Sequence, residues 1–131
     1  MNAIRWTILV AAIEIVATGL FLIIAPSLFA WLIFGAELSE AGQALGRLGG
    51  IAMVGFGLAA GSAPTVSQPA SVVRALAIYS ILAAIYLGYV GLAGKLVGLL
   101  LWPAVALHAI FPVLLGRAWQ RGKGSGIATI I

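Results

Sequence analysis

The chain has 131 residues, of which 63% are hydrophobic and only 8% are charged. A soluble domain is about half apolar and about a quarter charged, and a disordered chain is poor in apolar residues, so this composition excludes both classes. The sequence contains no cysteine, which excludes disulfide bonds, thiol catalysis and cysteine-ligated metal sites. We therefore expect a single integral membrane domain that covers residues 1–131.

Four long uncharged segments divide the chain. Each approaches or exceeds the roughly 20 residues that a helix needs to cross about 30 Å of hydrocarbon. None of them alternates between polar and apolar residues as a transmembrane β-strand does. The sequence therefore predicts an all-α fold, a bundle of four transmembrane helices. The uncharged segments are residues 15–36, 48–73, 75–94 and 96–116.

The ends of the helices are predicted from prolines, glycines and capping residues. Pro26 ends the first helix, and the apolar residues 26–34 are too short to cross again, so they are expected to lie in the membrane interface. Ser39 is a favourable N-cap for the second helix. A tight turn at Gly94 is expected to join the last two helices as antiparallel neighbours. The predicted transmembrane helices are residues 3–24, 39–61, 72–92 and 96–119.

The basic residues predict the orientation of the bundle. An even number of spans places both termini on one side of the membrane, and that side would carry five of the seven basic residues. By the positive-inside rule, we expect both termini in the cytoplasm and the protein in a cell inner membrane. The five basic residues on that side are Arg5, Arg74, Arg117, Arg121 and Lys123.

Two ionisable residues, Glu14 and His108, fall inside predicted spans. Each lies nine residues from the basic residue at the cytoplasmic end of its helix, so at about 1.5 Å per residue both are expected roughly 13 Å deep. A carboxylate at this depth is costly and by default indicates a functional site. We predict a pair that binds a proton or a cation, and a purely structural interhelical hydrogen bond is the open alternative. The predicted binding residues are Glu14, His108, Tyr79, Tyr86 and Thr18.

Two prolines of the fourth helix are expected to expose backbone oxygens near this pair. A proline inside a helix removes the hydrogen bond to the carbonyl four residues before it. Pro112 would free the carbonyl of His108, and Pro103 would free that of Leu99. The predicted site therefore combines an imidazole with a backbone oxygen.

Glycines at GxxxG spacing predict close contacts between helices. Small residues let the backbones of membrane helices approach closely. This close packing stabilises helix contacts in lipid, where the hydrophobic effect does not bring helices together. The face that they form could pack inside one bundle or against another copy, and both interpretations stay open. The predicted packing residues are Gly46, Gly50, Gly57, Gly61, Gly94 and Gly98.

Arg47 lies in the second predicted helix near its outer end. Its aliphatic stem could lie along apolar surface while the guanidinium reaches the water, which would anchor the outer interface. The functional alternative is that Arg47 binds an anion or a lipid headgroup.

Two resemblances follow from short segments. Residues 12–18, AIEIVAT, resemble the first helix of the small multidrug resistance transporters, four-helix proteins that usually form antiparallel dimers and exchange protons for cationic drugs. That resemblance implies the proton-exchanging role for Glu14, although the family's aromatic-rich second and third helices are absent here. Residues 46–50, GRLGG, and 101–108, LWPAVALH, resemble small DoxX-like bacterial inner-membrane proteins of four helices. This second resemblance implies no chemistry for any residue.

Three classes of function remain. The first is a small non-catalytic membrane subunit that self-associates or packs against a larger membrane complex, and the second is a proton- or cation-coupled transporter or channel that uses Glu14 and His108. The third is a small intramembrane enzyme or a haem protein with His108 as ligand. No serine–histidine pair, metal-ligand cluster or phosphate loop occurs in the sequence, so we expect no catalytic residues, no metal and no cofactor. The expected partners are the lipid bilayer and other membrane proteins or copies, not nucleic acid.

Overall fold

The described part of the chain is all-α, as predicted. The computed structural model describes residues 3–62 and 70–124, with side chains as far as residue 121. Four of its helices are long and apolar enough to cross a membrane, and the fifth is the short segment between the first two spans. The helices are α1 (Ala3–Ile24), α2 (Pro26–Phe34), α3 (Glu40–Gly61), α4 (Ala70–Ala93) and α5 (Leu101–Gly124).

Proline, glycine and serine set the boundaries of α2 and α3. Pro26 occupies the first turn of α2, where its missing N–H removes no hydrogen bond. Gly35 ends α2 in the left-handed conformation, with φ at 67°, and its N–H donates to the carbonyl of Trp31 at 2.9 Å. Ser39 caps α3 as predicted, since its Oγ accepts a hydrogen bond from the N–H of Gly42 at 3.1 Å.

The connection between α4 and α5 is longer than the tight turn that the sequence suggested. Helix α5 begins at Leu101 rather than at residue 96. In the intervening loop, the N–H of Gly98 donates to the carbonyl of Ile33 at 2.9 Å, and the N–H of Leu100 donates to that of Leu32 at 2.8 Å. These two N–H groups thus find their hydrogen-bond acceptors at the end of α2 and not within a helix of their own.

This loop corrects two expectations. Gly94 and Gly98 do not form a packing pair on a helix, because Gly94 turns the chain with φ at 72° and Gly98 lies against the carbonyl of Leu32, where a side chain would not fit. Pro103 lies in the first turn of α5, where a helix has no intrahelical acceptor for an N–H. It therefore does not free the carbonyl of Leu99, whereas Pro112 does lie inside the helix.

Helix α1 is the centre of the bundle. It packs most extensively against α3 and also contacts α5, while α4 packs mainly against α5. The crossing of α1 and α3 is close at Gly19 and Gly50, because a Cβ built on Gly19 would lie 2.7 Å from the carbonyl oxygen of Gly50. Glycine on both helices is what permits this approach.

The bundle has a packed half and an open half. The packed half contains the start of α1, the end of α3, the start of α4 and the end of α5, and it encloses one cluster of buried residues. The open half contains the end of α1, α2, the loop 94–100 and the start of α5. The buried cluster consists of Ile4, Ile8, Ala11, Ala12, Ile15, Ala60, Val73, Leu76, Phe111, Leu115 and Ala118.

Candidate functional site

The open half surrounds a cavity of about 460 Å³ between α1, α2 and α5, and Leu87 of α4 also lines it. Phenylalanine and aliphatic side chains form most of its wall, and Leu100 contributes from the loop before α5. Three polar side chains reach the same cavity, Glu14 and Thr18 from α1 and His108 from α5. An apolar cavity with a few convergent polar groups is the usual form of a small-molecule site.

Thr18 orients the carboxyl group of Glu14. The two residues are four apart on α1, which places their side chains on the same face of the helix. The Oγ1 of Thr18 donates to Oε1 of Glu14 at 3.0 Å. Among the described residues, no other hydrogen bond reaches this carboxyl group, so Oε2 is available to a bound group.

His108 is almost completely buried, with 8% of its surface exposed. Its Nδ1 is buried and has no hydrogen-bond partner among the described residues. The ring of Tyr79 packs edge-on against the imidazole with the centroids 5.6 Å apart, and Phe56 packs against Tyr79 at 5.9 Å. Buried polar atoms are nearly always paired, so the unpaired ring nitrogen is an unusual feature of a residue that lines the cavity.

Glu14 and His108 share the cavity but do not bond to each other. The carboxyl group lies close enough to interact electrostatically with both the imidazole and the phenol of Tyr79. No direct hydrogen bond joins Glu14 to His108 within the part of the chain that the structure describes. The cavity is therefore lined by a carboxyl group from α1 and an imidazole from α5 that are not bonded to each other.

The structure does not bring Tyr86 to this site. Tyr86 is 61% exposed on the surface of α4, although it lies seven residues from Tyr79 on nearly the same face. Helix α4 contacts α1 little and packs mainly against α5, and Tyr86 lies on its exposed surface while the next residue, Leu87, lines the cavity.

Sequence reasoning missed the aromatic part of the site. Phe21 of α1 and Phe29 of α2 pack edge to face, with centroids 5.6 Å apart and planes at 87°, and both line the cavity. Phe34 at the end of α2 lines it too. A signal was present in the two phenylalanines of α2, Phe29 and Phe34, but only the packing of α2 against α1 and the loop shows that both line the cavity.

The predicted glycine face of α3 is directed at α1. A Cβ built on Gly57 would lie 2.7 Å from Cγ2 of Val16, and one on Gly61 would lie 3.3 Å from Cβ of Ala12. Gly46 faces Pro26 in the same way. Gly50 completes the set at the α1 crossing. Arg47 lies on the exposed side of α3, away from the cavity.

A larger groove and a metal site are the alternatives to this cavity for a polar or ionic ligand. A groove of about 520 Å³ runs along the outside of α1 and α3, but Ser62 is the one polar side chain that lines it. No group of three or more histidine or acidic residues within 3–62 and 70–121 lies close enough to hold a metal ion. The cavity with Glu14 and His108 is therefore the candidate site.

Comparison with known proteins assigns no family. The chain matches no protein-family model, no curated protein and no solved structure. The resemblances of residues 12–18, 46–50 and 101–108 to known families stay predictions. The chemistry of the site has to be argued from its own residues.

Proposed function

We propose that the protein is a small membrane transporter that binds a proton or a cation at the level of Glu14 and His108. The observation that carries this proposal is the meeting of Glu14, Thr18 and His108 in one otherwise apolar cavity. A carboxylate inside the hydrocarbon layer is costly, so a bound proton or cation that neutralises Glu14 stabilises the site.

Thr18 and His108 have different roles in such a site. Thr18 holds one oxygen of the carboxyl group and leaves the other for the ligand. His108 offers a second polar group, held in place by the edge of the Tyr79 ring. Because the two polar groups come from different helices, occupancy of the site links α1 to α5.

The test is proton flux into proteoliposomes that contain a trapped pH-sensitive dye, measured with Na⁺ or K⁺ gradients. Glu14→Gln is expected to abolish protein-dependent flux, because it removes the titrating group and keeps the shape. Glu40→Gln is the matched control, since Glu40 is exposed in the first turn of α3. Equal flux in the wild type and Glu14→Gln, or no flux above empty liposomes, would overturn the proposal.

A second candidate is the membrane subunit that packs on itself or on a larger complex. Gly49 lies on the outer side of α3, because a Cβ built on it meets nothing within 4 Å. Another membrane helix could approach closely there. Native mass spectrometry from mild detergent would detect a copy or a partner, and Gly49→Leu should remove it.

We also propose that both termini lie in the cytoplasm of a cell with an inner membrane. The absence of native cysteine allows a direct test with single cysteines at two exposed positions, Glu37 before α3 and Gln120 near the end of α5. A membrane-impermeant maleimide should label Glu37→Cys in intact cells and label Gln120→Cys only after the cells are opened. The reverse pattern would invert the orientation.

A further inference from the structure

A groove of about 360 Å³ lies between α4 and α5 in the packed half, away from the cavity. We infer that it binds an anionic phospholipid, with the phosphate at Arg74 and the first part of an acyl chain along the groove. This inference is independent of the transport proposal, because the groove shares no residue with the Glu14–His108 cavity.

The shape of the groove comes from small residues on both helices. Its α4 side spans residues 70–77 and its α5 side spans residues 112–119, which is about 10 Å of helix on each side. Leu115 is fully buried beneath the groove. Ala77 and Gly116 are small residues, so they fill little of the space between the two helices. A Cβ built on Gly116 would meet nothing within 4 Å, so the space above this glycine is open.

The charge around the groove is positive. Arg74 lines it and is exposed, and Arg117 and Arg121 are exposed on the same end of α5. The three acidic residues of the chain all lie elsewhere, one in the cavity and two near the start of α3. A guanidinium binds a phosphate through paired hydrogen bonds. A zwitterionic headgroup also carries a phosphate, but its net charge is zero and the attraction to the groove is weaker.

The position of Trp119 at the mouth of the groove also suits a lipid. Trp119 lies at the end of the groove nearest the helix termini, and tryptophan is enriched at the level of the lipid headgroups. A parallel second copy fits less well, because it would bring its own basic end against Arg74. Like charges facing each other in a contact are unfavourable, so a phosphate is the better occupant.

The experiment is native mass spectrometry of the full chain in mild detergent, titrated with dioleoyl phosphatidylglycerol or with dioleoyl phosphatidylcholine. The wild type is expected to retain the anionic lipid preferentially. Arg74→Gln should weaken its binding about fivefold, the effect of one basic residue near a lipid surface. Gly116→Leu should weaken both lipids, because the new side chain occupies the acyl-chain space.

Two matched variants separate the groove from general effects. Lys95→Gln removes one positive charge in the loop 94–100, and Gly55→Leu adds the same side chain where nothing lies within 4 Å. Neither should change the lipid preference. Arg74→Lys, which keeps the charge, should restore most of the preference and keeps the test valid if Gly116→Leu does not fold.

The proposal is overturned if the wild type binds the two lipids equally, or if Arg74→Gln and Lys95→Gln have the same effect. It is also overturned if Gly116→Leu abolishes a dimer instead of lipid binding, because the groove would then be an interface between copies.

Discussion

Leu76 and Leu115 are completely buried in the packed half, whereas Leu107, on the same helix as Leu115, is 40% exposed at the wall of a cavity of about 460 Å³ in the open half. Both halves are built from apolar helices, so composition does not separate them. In a bilayer, leaving lipid for protein brings no hydrophobic gain, and stability depends on close contact. The buried cluster of the packed half makes these contacts, whereas the open half has close contacts such as that of Gly19 with Gly50 but also a cavity beside Glu14 and His108. Helix α5 thus runs from an end beside the cavity to an end in the buried cluster.

The largest expected effect is at a close helix crossing of the packed half. Gly57→Leu should prevent α1 and α3 from packing, because its Cβ alone would lie 2.9 Å from the backbone oxygen of Ala12. Overpacking of this kind costs about 1–3 kcal/mol and more where backbone must move. The measurement is the free energy of unfolding in bicelles by steric trapping.

Gly55→Leu is the control for this prediction. It lies two residues away on the same helix and meets nothing within 4 Å, so its free energy of unfolding should change by less than about 0.5 kcal/mol. Equal destabilisation by the two variants would show that helix propensity, not the crossing, sets the stability.

Truncation of leucines on α5 compares the halves directly. Leu115→Ala should destabilise the protein by about 2 kcal/mol, the low end of the range for buried leucines, because the transfer term is small in lipid. Leu107→Ala should cost less than about 1 kcal/mol, since its side chain already faces the cavity and has fewer contacts to lose. Similar losses for both variants would contradict the division into a packed and an open half.

Larger side chains on α5 should act differently in the two halves: they should lower stability in the packed half and proton flux in the open half. Ala118 is 7% exposed in the buried cluster, so Ala118→Phe should cost about 1–3 kcal/mol of stability. Ala104 lines the cavity, and Ala104→Phe should keep the fold while it blocks proton flux in proteoliposomes. Full flux in a folded Ala104→Phe variant would mean that the cavity is not the route.

The fold was predictable because the charges are few. The uncharged segments gave the number and rough limits of the spans, since charge inside hydrocarbon is costly. Pro26 and Ser39 marked real helix ends for local reasons that the sequence carries. The start of α5 was missed because the N–H groups of Gly98 and Leu100 bond to carbonyl oxygens of α2, a contact between segments far apart in the chain.

The site was predictable only in its ionisable part. Glu14 and His108 stood out because they interrupt apolar helices, and helical rise placed them at one depth. Helical rise also placed Tyr86 near them, yet depth and face do not show which neighbour covers a helix. Phe21 and Phe29 could not be chosen among the other apolar residues, because their place in the cavity depends on how α2 meets α1.

The smallest predicted effect concerns the hydrogen bond at the boundary of the two halves. Thr18→Val removes the donor to Oε1 of Glu14 and should cost about 0.6 kcal/mol, the average for a membrane side-chain hydrogen bond. Thr7→Val is the matched control, because the Thr7 hydroxyl donates to the carbonyl of Ala3 within its own helix at 3.0 Å. We expect Thr7→Val to leave proton flux unchanged and Thr18→Val to reduce it, because a freely rotating carboxyl group no longer presents Oε2 to the ligand. Equal flux in the two variants would show that Thr18 does not orient Glu14, even if the stability difference is found.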